Sequence, residues 1–128
     1  MWAIINGHIE IAKLLIKKEG VDLNAKDEEG YTALMWAVSW RRTEIVELLI
    51  KAGVDLNVKN KQGKTALIFA AYFEYIKILK LLIKAGAIVD IKDKYNKTAI
   101  DYAKDDDEMK QLLLEAMEKQ KQQEQNNS

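Results

Sequence analysis

The chain is predicted to be all-α: a solenoid of about four stacked helix-turn-helix units joined by β-turn or hairpin loops, its first unit truncated and its last a cap. Three observations predict it. One block of residues recurs at a spacing of 33, each copy carries two apolar stripes at helical spacing, and a glycine closes the second stripe. The recurring block is Asp27-Glu-Glu-Gly30-Tyr-Thr32-Ala33-Leu34, then Asn60-Lys-Gln-Gly63-Lys-Thr65-Ala66-Leu67, then Asp93-Lys-Tyr-Asn96-Lys-Thr98-Ala99-Ile100. A second block, Leu48 to Gly53, returns as Leu81 to Gly86, and an earlier version from Leu14 carries one extra residue before Gly20.

Residues 27–59 show the logic of one unit. Asp27 to Gly30 is turn chemistry, with a carboxylate able to hold its own backbone and a glycine that tolerates positive φ. Thr32 follows as a helix N-cap, and Ala33, Leu34, Ala37 and Val38 form the buried stripe of a short first helix. After Arg42 or Thr43 a second helix begins, burying Ile45, Val46, Leu48 and Leu49 and leaving Glu44, Glu47 and Lys51 to water. Gly53 stops it, and Val54 to Lys59 run back to the next turn. A helix pair of this size cannot shelter both its apolar sides alone, so it must stack on its copies.

The units are placed at about 1–26, 27–59, 60–92 and 93–117, together one domain, with a polar, Gln-rich tail at 118–128 that prolongs the last helix and then becomes disordered. Met1-Trp2-Ala3 aligns with Met35-Trp36-Ala37, so the first copy lacks its leading turn and capping threonine. That fits a segment of a longer array or a frayed first helix with an uncovered apolar flank, and the first is preferred. In the last copy Met109 to Met117 interleaves leucines with Lys110, Gln111 and Glu115, as a helix with one wetter face should.

Composition narrows the function. Of 128 residues, Lys plus Arg number 20 and Asp plus Glu 20, so no net field favours nucleic acid or an anionic membrane. Only Arg41 and Arg42 supply the planar forks that read phosphates and guanine edges. Cysteine is absent and His8 is the single imidazole, so no nucleophile and base stand in company and no catalytic residue, metal ligand or cofactor site is assigned. The longest apolar run, Ala66 to Phe73, falls far short of the ~20 residues that cross a bilayer. Asp105-Asp106-Asp107-Glu108 lacks the glycine and distal glutamate of a calcium loop and reads better as the N-terminal charge of the last helix. The lysines at 59, 61, 64, 92, 94 and 97 fall near successive turn tips, where either a basic strip or ordinary solvated faces would result.

The 33-residue period, Gly-x-Thr-x-Leu opening, Ala-rich first helix, Ile-Val-x-Leu-Leu-Ile second helix and Gly-x-Asp-x-Asn return resemble the ankyrin repeat over residues 1 to about 117. There are departures. The family's Thr-Pro-Leu-His is Thr-Ala-Leu-Met at Thr32, Thr-Ala-Leu-Ile at Thr65 and Thr-Ala-Ile-Asp at Thr98. Its Gly-His between helices survives only at Gly7-His8, with Arg41-Arg42 and Glu74-Tyr75 in the later copies. The resemblance gives His8 a structural role, holding its loop by hydrogen bonding.

The resemblance also implies a protein-binding module, not an enzyme, with a concave groove lined by turn tips and by the ends of the first helices. Residues matching those places are Glu28, Glu29, Tyr31, Ser39 and Trp40, then Lys61, Gln62, Lys64, Tyr72 and Phe73, then Lys94, Tyr95 and Lys97. Aromatic side chains are enriched at binding hot spots, which singles out Tyr31, Trp40, Tyr72, Phe73 and Tyr95, with Ser39, Lys61 and Lys64 beside them. Trp2, Trp36 and Phe69 share one place in the first helices and are expected to form a ladder that is mainly structural. The expected partner is a protein, with no nucleic acid, membrane or cofactor involved. The chain is expected to be a cytoplasmic monomer that self-associates, if at all, through its truncated first repeat. The competing reading is an architectural spacer within a longer array.

Overall fold

The computed structural model describes residues 2–103 and 105–126. Those residues form helices α1 (Trp2–Ile5), α2 (Ile9–Lys17), α3 (Ala33–Ser39), α4 (Thr43–Lys51), α5 (Ala66–Tyr72), α6 (Ile76–Lys84), α7 (Ala99–Tyr102) and α8 (Asp107–Asn126), with no strand among them. Consecutive odd and even helices pack as pairs within a unit. Between units α1 meets α3, α3 meets α5 and α5 meets α7, while α2, α4, α6 and α8 make a second row. Two layers of helices therefore stack side by side, the all-α solenoid that the repeat predicts.

Local chemistry starts each first helix in the same way. Thr32 and Thr65 sit in extended backbone, and their hydroxyls accept from Met35 N–H and Ile68 N–H, both at 3.3 Å. At Thr98 the roles turn round, and Asp101 reaches back to accept the Thr98 N–H at 2.9 Å. Ala3, Ala37 and Ala70 occupy one place in successive first helices, Ala103 holds the matching place just past α7, and all four are buried, so backbones can approach closely. Behind them the core is built from Leu34, Met35, Ile45, Leu49, Leu67, Ile68, Ile78, Leu79, Leu82, Met109 and Leu113, all fully buried.

Turn tips stack as closely as the helices. A Cβ on Gly30 would lie 2.9 Å from Lys61 N and 3.0 Å from Asn60 Cα, and one on Gly63 would meet Asp93 Cα and Lys94 N at 3.0 Å. Positive φ and this close approach both require glycine there. Asn96 takes the same left-handed place in the third of these tips, where it is exposed and no further tip among the described residues stacks on it. The Lys61 N–H donates to Glu29 C=O at 3.1 Å and the Lys94 N–H to Gln62 C=O at 2.9 Å, tying each tip to the one before.

The places that depart from the family pattern are held by other means. Arg41 (φ 54°) and Glu74 (φ 60°) adopt the left-handed backbone that Gly7 (φ 70°) adopts between α1 and α2. The Arg42 guanidinium donates to Ile5 C=O, from Nε at 3.0 Å and from Nη2 at 2.5 Å, so a side chain of the second unit closes the end of α1. Asp106 caps α8, its carboxylate accepting the Met109 N–H at 3.0 Å, and Asp107 and Glu108 lie in the first turn beyond it. That helix begins two residues before the expected Met109 and continues through residues 118–126 of the polar tail.

Candidate functional site

Three turns carry one device. The Oδ1 of Asp27 accepts from Glu29 N–H and Tyr31 N–H, that of Asn60 from Gln62 N–H and Lys64 N–H, and that of Asp93 from Tyr95 N–H and Lys97 N–H, all at 2.9 to 3.1 Å. Each tip is thereby fixed before any ligand arrives. The second polar atom of each side chain meets a different neighbour. Asp27 Oδ2 accepts Trp36 Nε1–H at 2.9 Å; Asn60 Nδ2 is buried without a partner among the described residues; Asp93 Oδ2 accepts Lys64 Nζ at 2.8 Å and the Tyr102 hydroxyl. Trp36, Phe69 and Tyr102 stand 33 residues apart, so the ring at that place decides what the turn residue can bond.

Electrostatics at the last tip follow from that geometry. Burial pushes the Asp93 carboxyl up, but hydrogen bonds from Lys64, Tyr102 and the backbone of Lys97 and Tyr95 outweigh it and hold the group far below the usual carboxylate range. Burial lowers Lys64, and its bonds to Asp93 and Tyr102 overcome this to leave it above the usual lysine value. Burial and the Asp93 contact both raise the Tyr102 phenol. At Asp27 burial is likewise outweighed, by Tyr31, Trp36, Glu29 and Gly30, and the carboxyl is lowered.

The predicted site residues divide into two groups. Trp40, Tyr72, Phe73 and Tyr95 are exposed by 50%, 58%, 40% and 58%, and Lys61 is exposed beside them. Tyr31, Lys64 and Ser39 are only partly accessible. Tyr31 lies between Trp36 and Phe69, with ring centroids 4.7 and 5.4 Å away, Lys64 is committed to Asp93, and the Ser39 hydroxyl is buried with no partner among the described residues. Trp36 and Phe69 thus join the structural ladder through Tyr31, while the Trp2 side chain lies outside the described residues.

Contacts link three of the exposed rings, Phe73, Tyr72 and Tyr95, into one strip. Arg41 lies 5.2 Å over the Tyr75 ring, Tyr75 stacks on Phe73 at 5.5 Å, and Phe73 meets Tyr72 edge-on at 5.1 Å. Tyr72 meets Tyr102 at 5.8 Å, and Lys64 bridges Tyr102 and Tyr95 at 4.9 and 5.1 Å. Tyr75, Tyr102 and Arg41 were not among the residues expected here. Tyr102 had a visible signal, since it continues the 33-residue series of Trp36 and Phe69. Among the described residues no cluster of His, Asp or Glu could hold a metal ion, and no helix is long and apolar enough to cross a membrane.

A stack of helix pairs with fixed tips and an aromatic strip along one side defines a repeat protein of the kind that presents a surface rather than a pocket. The chain matches the family model described as "Ankyrin repeats (3 copies)" over residues 1–60 and 49–125, and it belongs to the ankyrin-repeat family. Repeats of this family are in general protein–protein interaction modules and typically not enzymes. No individual curated protein matches the chain at a significant level.

Proposed function

We propose that the chain binds a partner protein along its turn tips and first-helix ends, with Trp40, Tyr72, Phe73 and Tyr95 as anchors. The observation that carries this reading is the exposure of those four rings beside backbone that is already fixed. Large aromatic side chains left in water favour a ligand that covers them, and rigid tips spare the partner the ordering cost. Tyr31, Lys64 and Ser39 support the surface from behind. The expected result for Trp40→Ala is thermal unfolding within about 0.5 kcal/mol of the parent, as for an exposed site. Binding of a saturable protein ligand should weaken by about 2 kcal/mol or more. An unfolded Trp40→Ala chain would make Trp40 a core residue and sink the assignment.

One observation favours a second reading, an architectural or self-associating segment of a longer array. Ile11 and Leu15 of the first unit are 43% and 44% exposed, whereas their counterparts in α4 and α6 are at most 1% exposed. A spacer would show no saturable ligand on the aromatic strip, and light scattering rising with concentration would report self-association.

A further inference from the structure

Charge is segregated along the tips although the whole chain is neutral. The first tip carries Glu28 and Glu29, exposed, with the single lysine Lys26 on its approach, and neither glutamate has a cation at ion-pair distance among the described residues. The next two tips and their approaches carry Lys59, Lys61, Lys92, Lys94 and Lys97, all exposed and equally without a carboxylate partner among the described residues. Asp90 stands exposed ahead of Lys92, and the carboxylate set into the third tip itself, Asp93, is spent. Both its oxygens are occupied by Lys64, Tyr102 and two backbone N–H groups, so it screens none of the outer lysines. Two of those ammoniums lie beside aromatic rings, Lys94 at 5.3 Å from Tyr95 and Lys97 at 5.8 Å from Tyr102. The surface therefore sets uncompensated positive charge directly against the exposed aromatic strip.

Resting on the binding reading above, we infer that the partner presents an extended acidic segment to this surface. Its carboxylates meet Lys61, Lys94 and Lys97, an apolar or aromatic side chain lies on Tyr72 and Phe73, and a basic residue at one end faces Glu28 and Glu29. Opposite charges placed this way steer the encounter and fix the direction of the segment, and the contacts weaken as salt screens them. A nucleic acid fits less well. The strip offers lysine point charges in place of arginine forks, and a polyanion following the tips would run over Glu28 and Glu29, whose tip is hydrogen-bonded to that of Lys61.

The test is a selection of random peptides on the intact chain, followed by fluorescence anisotropy of a selected peptide. Three proteins are compared: the parent, a Lys61→Glu/Lys94→Glu double variant and a Tyr72→Ala/Phe73→Ala double variant, each checked for unchanged helical circular dichroism. The expected peptides are enriched in Asp and Glu. They should lose about tenfold or more in affinity to either double variant, and weaken on addition of sodium chloride. Peptides without acidic enrichment that still depend on Tyr72 and Phe73 would overturn the charge inference and leave the aromatic surface standing. Acidic peptides indifferent to Tyr72 and Phe73 would overturn the aromatic surface and keep the lysine tips as the site. Failure to select any peptide would overturn both, and displacement by oligouridine at equal concentration would make nucleic acid the ligand and overturn the peptide reading.

Discussion

Asp27, Asn60 and Asp93 hold one position in three successive turns, yet among the described residues only Asp93 is locked into an ion pair. Its side chain is inaccessible while Lys64 keeps 13% of its own surface, so the pair sits at the rim of the fold with one partner able to retreat into water. Asp93→Asn is an informative change because Asn60 shows that asparagine can hold the same two tip N–H groups. What the variant loses is the charge-assisted contact with Lys64 and Tyr102. The expected cost is about 1 to 2 kcal/mol at neutral pH, below the value for a fully buried pair because Lys64 can be rehydrated. The sign of the pH effect is fixed by the lowered carboxyl. Its contribution is complete above the ordinary carboxylate value of 3.8 and is lost as pH falls below that value toward the group's own, lower one. Urea unfolding of parent and variant should therefore differ at pH 7 and converge at strongly acid pH. A difference that persists unchanged into acid would mean that Asp93 does not act through its charge.

Helix α8 is the element least like its counterparts. In the first two units an asparagine of the return loop holds the loop of the next: Asn24 Oδ1 accepts Asp55 N–H at 2.8 Å, and Asn57 Oδ1 accepts Ile88 N–H at 2.9 Å. The third loop has a further partner. Gln120 of α8 accepts Val89 N–H at 3.1 Å and donates to Ala87 C=O at 2.8 Å, clamping the backbone at two residues with buried side chains on either side of the exposed Ile88. Gln120→Ala should cost about 1 to 2 kcal/mol and speed amide exchange at Val89 selectively. Unchanged protection at Val89 would show that the far part of α8 does not dock in solution. Residues 118–128 hold no apolar residue, so hydrophobic patterning was blind to this contact, which rests on one glutamine meeting a loop 31 residues earlier. The same limit explains Lys64. It stands where Tyr31 stands one unit earlier and read as a rim lysine, because a long-range ion pair leaves no periodic trace. What did leave a trace was the helix stripe, the capping threonine and the turn glycine, each set by contacts that every unit repeats.

Across the whole molecule the two ends treat the same helical positions differently. Counting from each second helix's first residue, the third and seventh places are Ile11 and Leu15, Ile45 and Leu49, Ile78 and Leu82, and Met109 and Leu113. All but the first pair are buried, so these places face the preceding unit. The fourth place is Ala12, Val46, Leu79 and Lys110, and it is polar only in α8, where no further unit among the described residues needs it. The C-terminal face thus has a charge in its outward stripe, although Leu114 remains exposed, while the first unit keeps apolar residues where a neighbour would lie. A groove of about 190 Å³ between Ile4, Leu15, Ile16, Val21, Leu23 and Leu49 lies where the first unit meets the second. Truncating the same place in two units measures whether anything covers it. Leu49→Ala truncates a fully buried side chain and should cost about 2 to 5 kcal/mol. Leu15→Ala removes atoms already half in water, so its cost should be about 1 kcal/mol or less and independent of protein concentration. A cost for Leu15→Ala that approaches that for Leu49→Ala and grows with concentration would reveal a second copy seated on the first unit, because a partner that binds only the folded chain stabilises it by mass action.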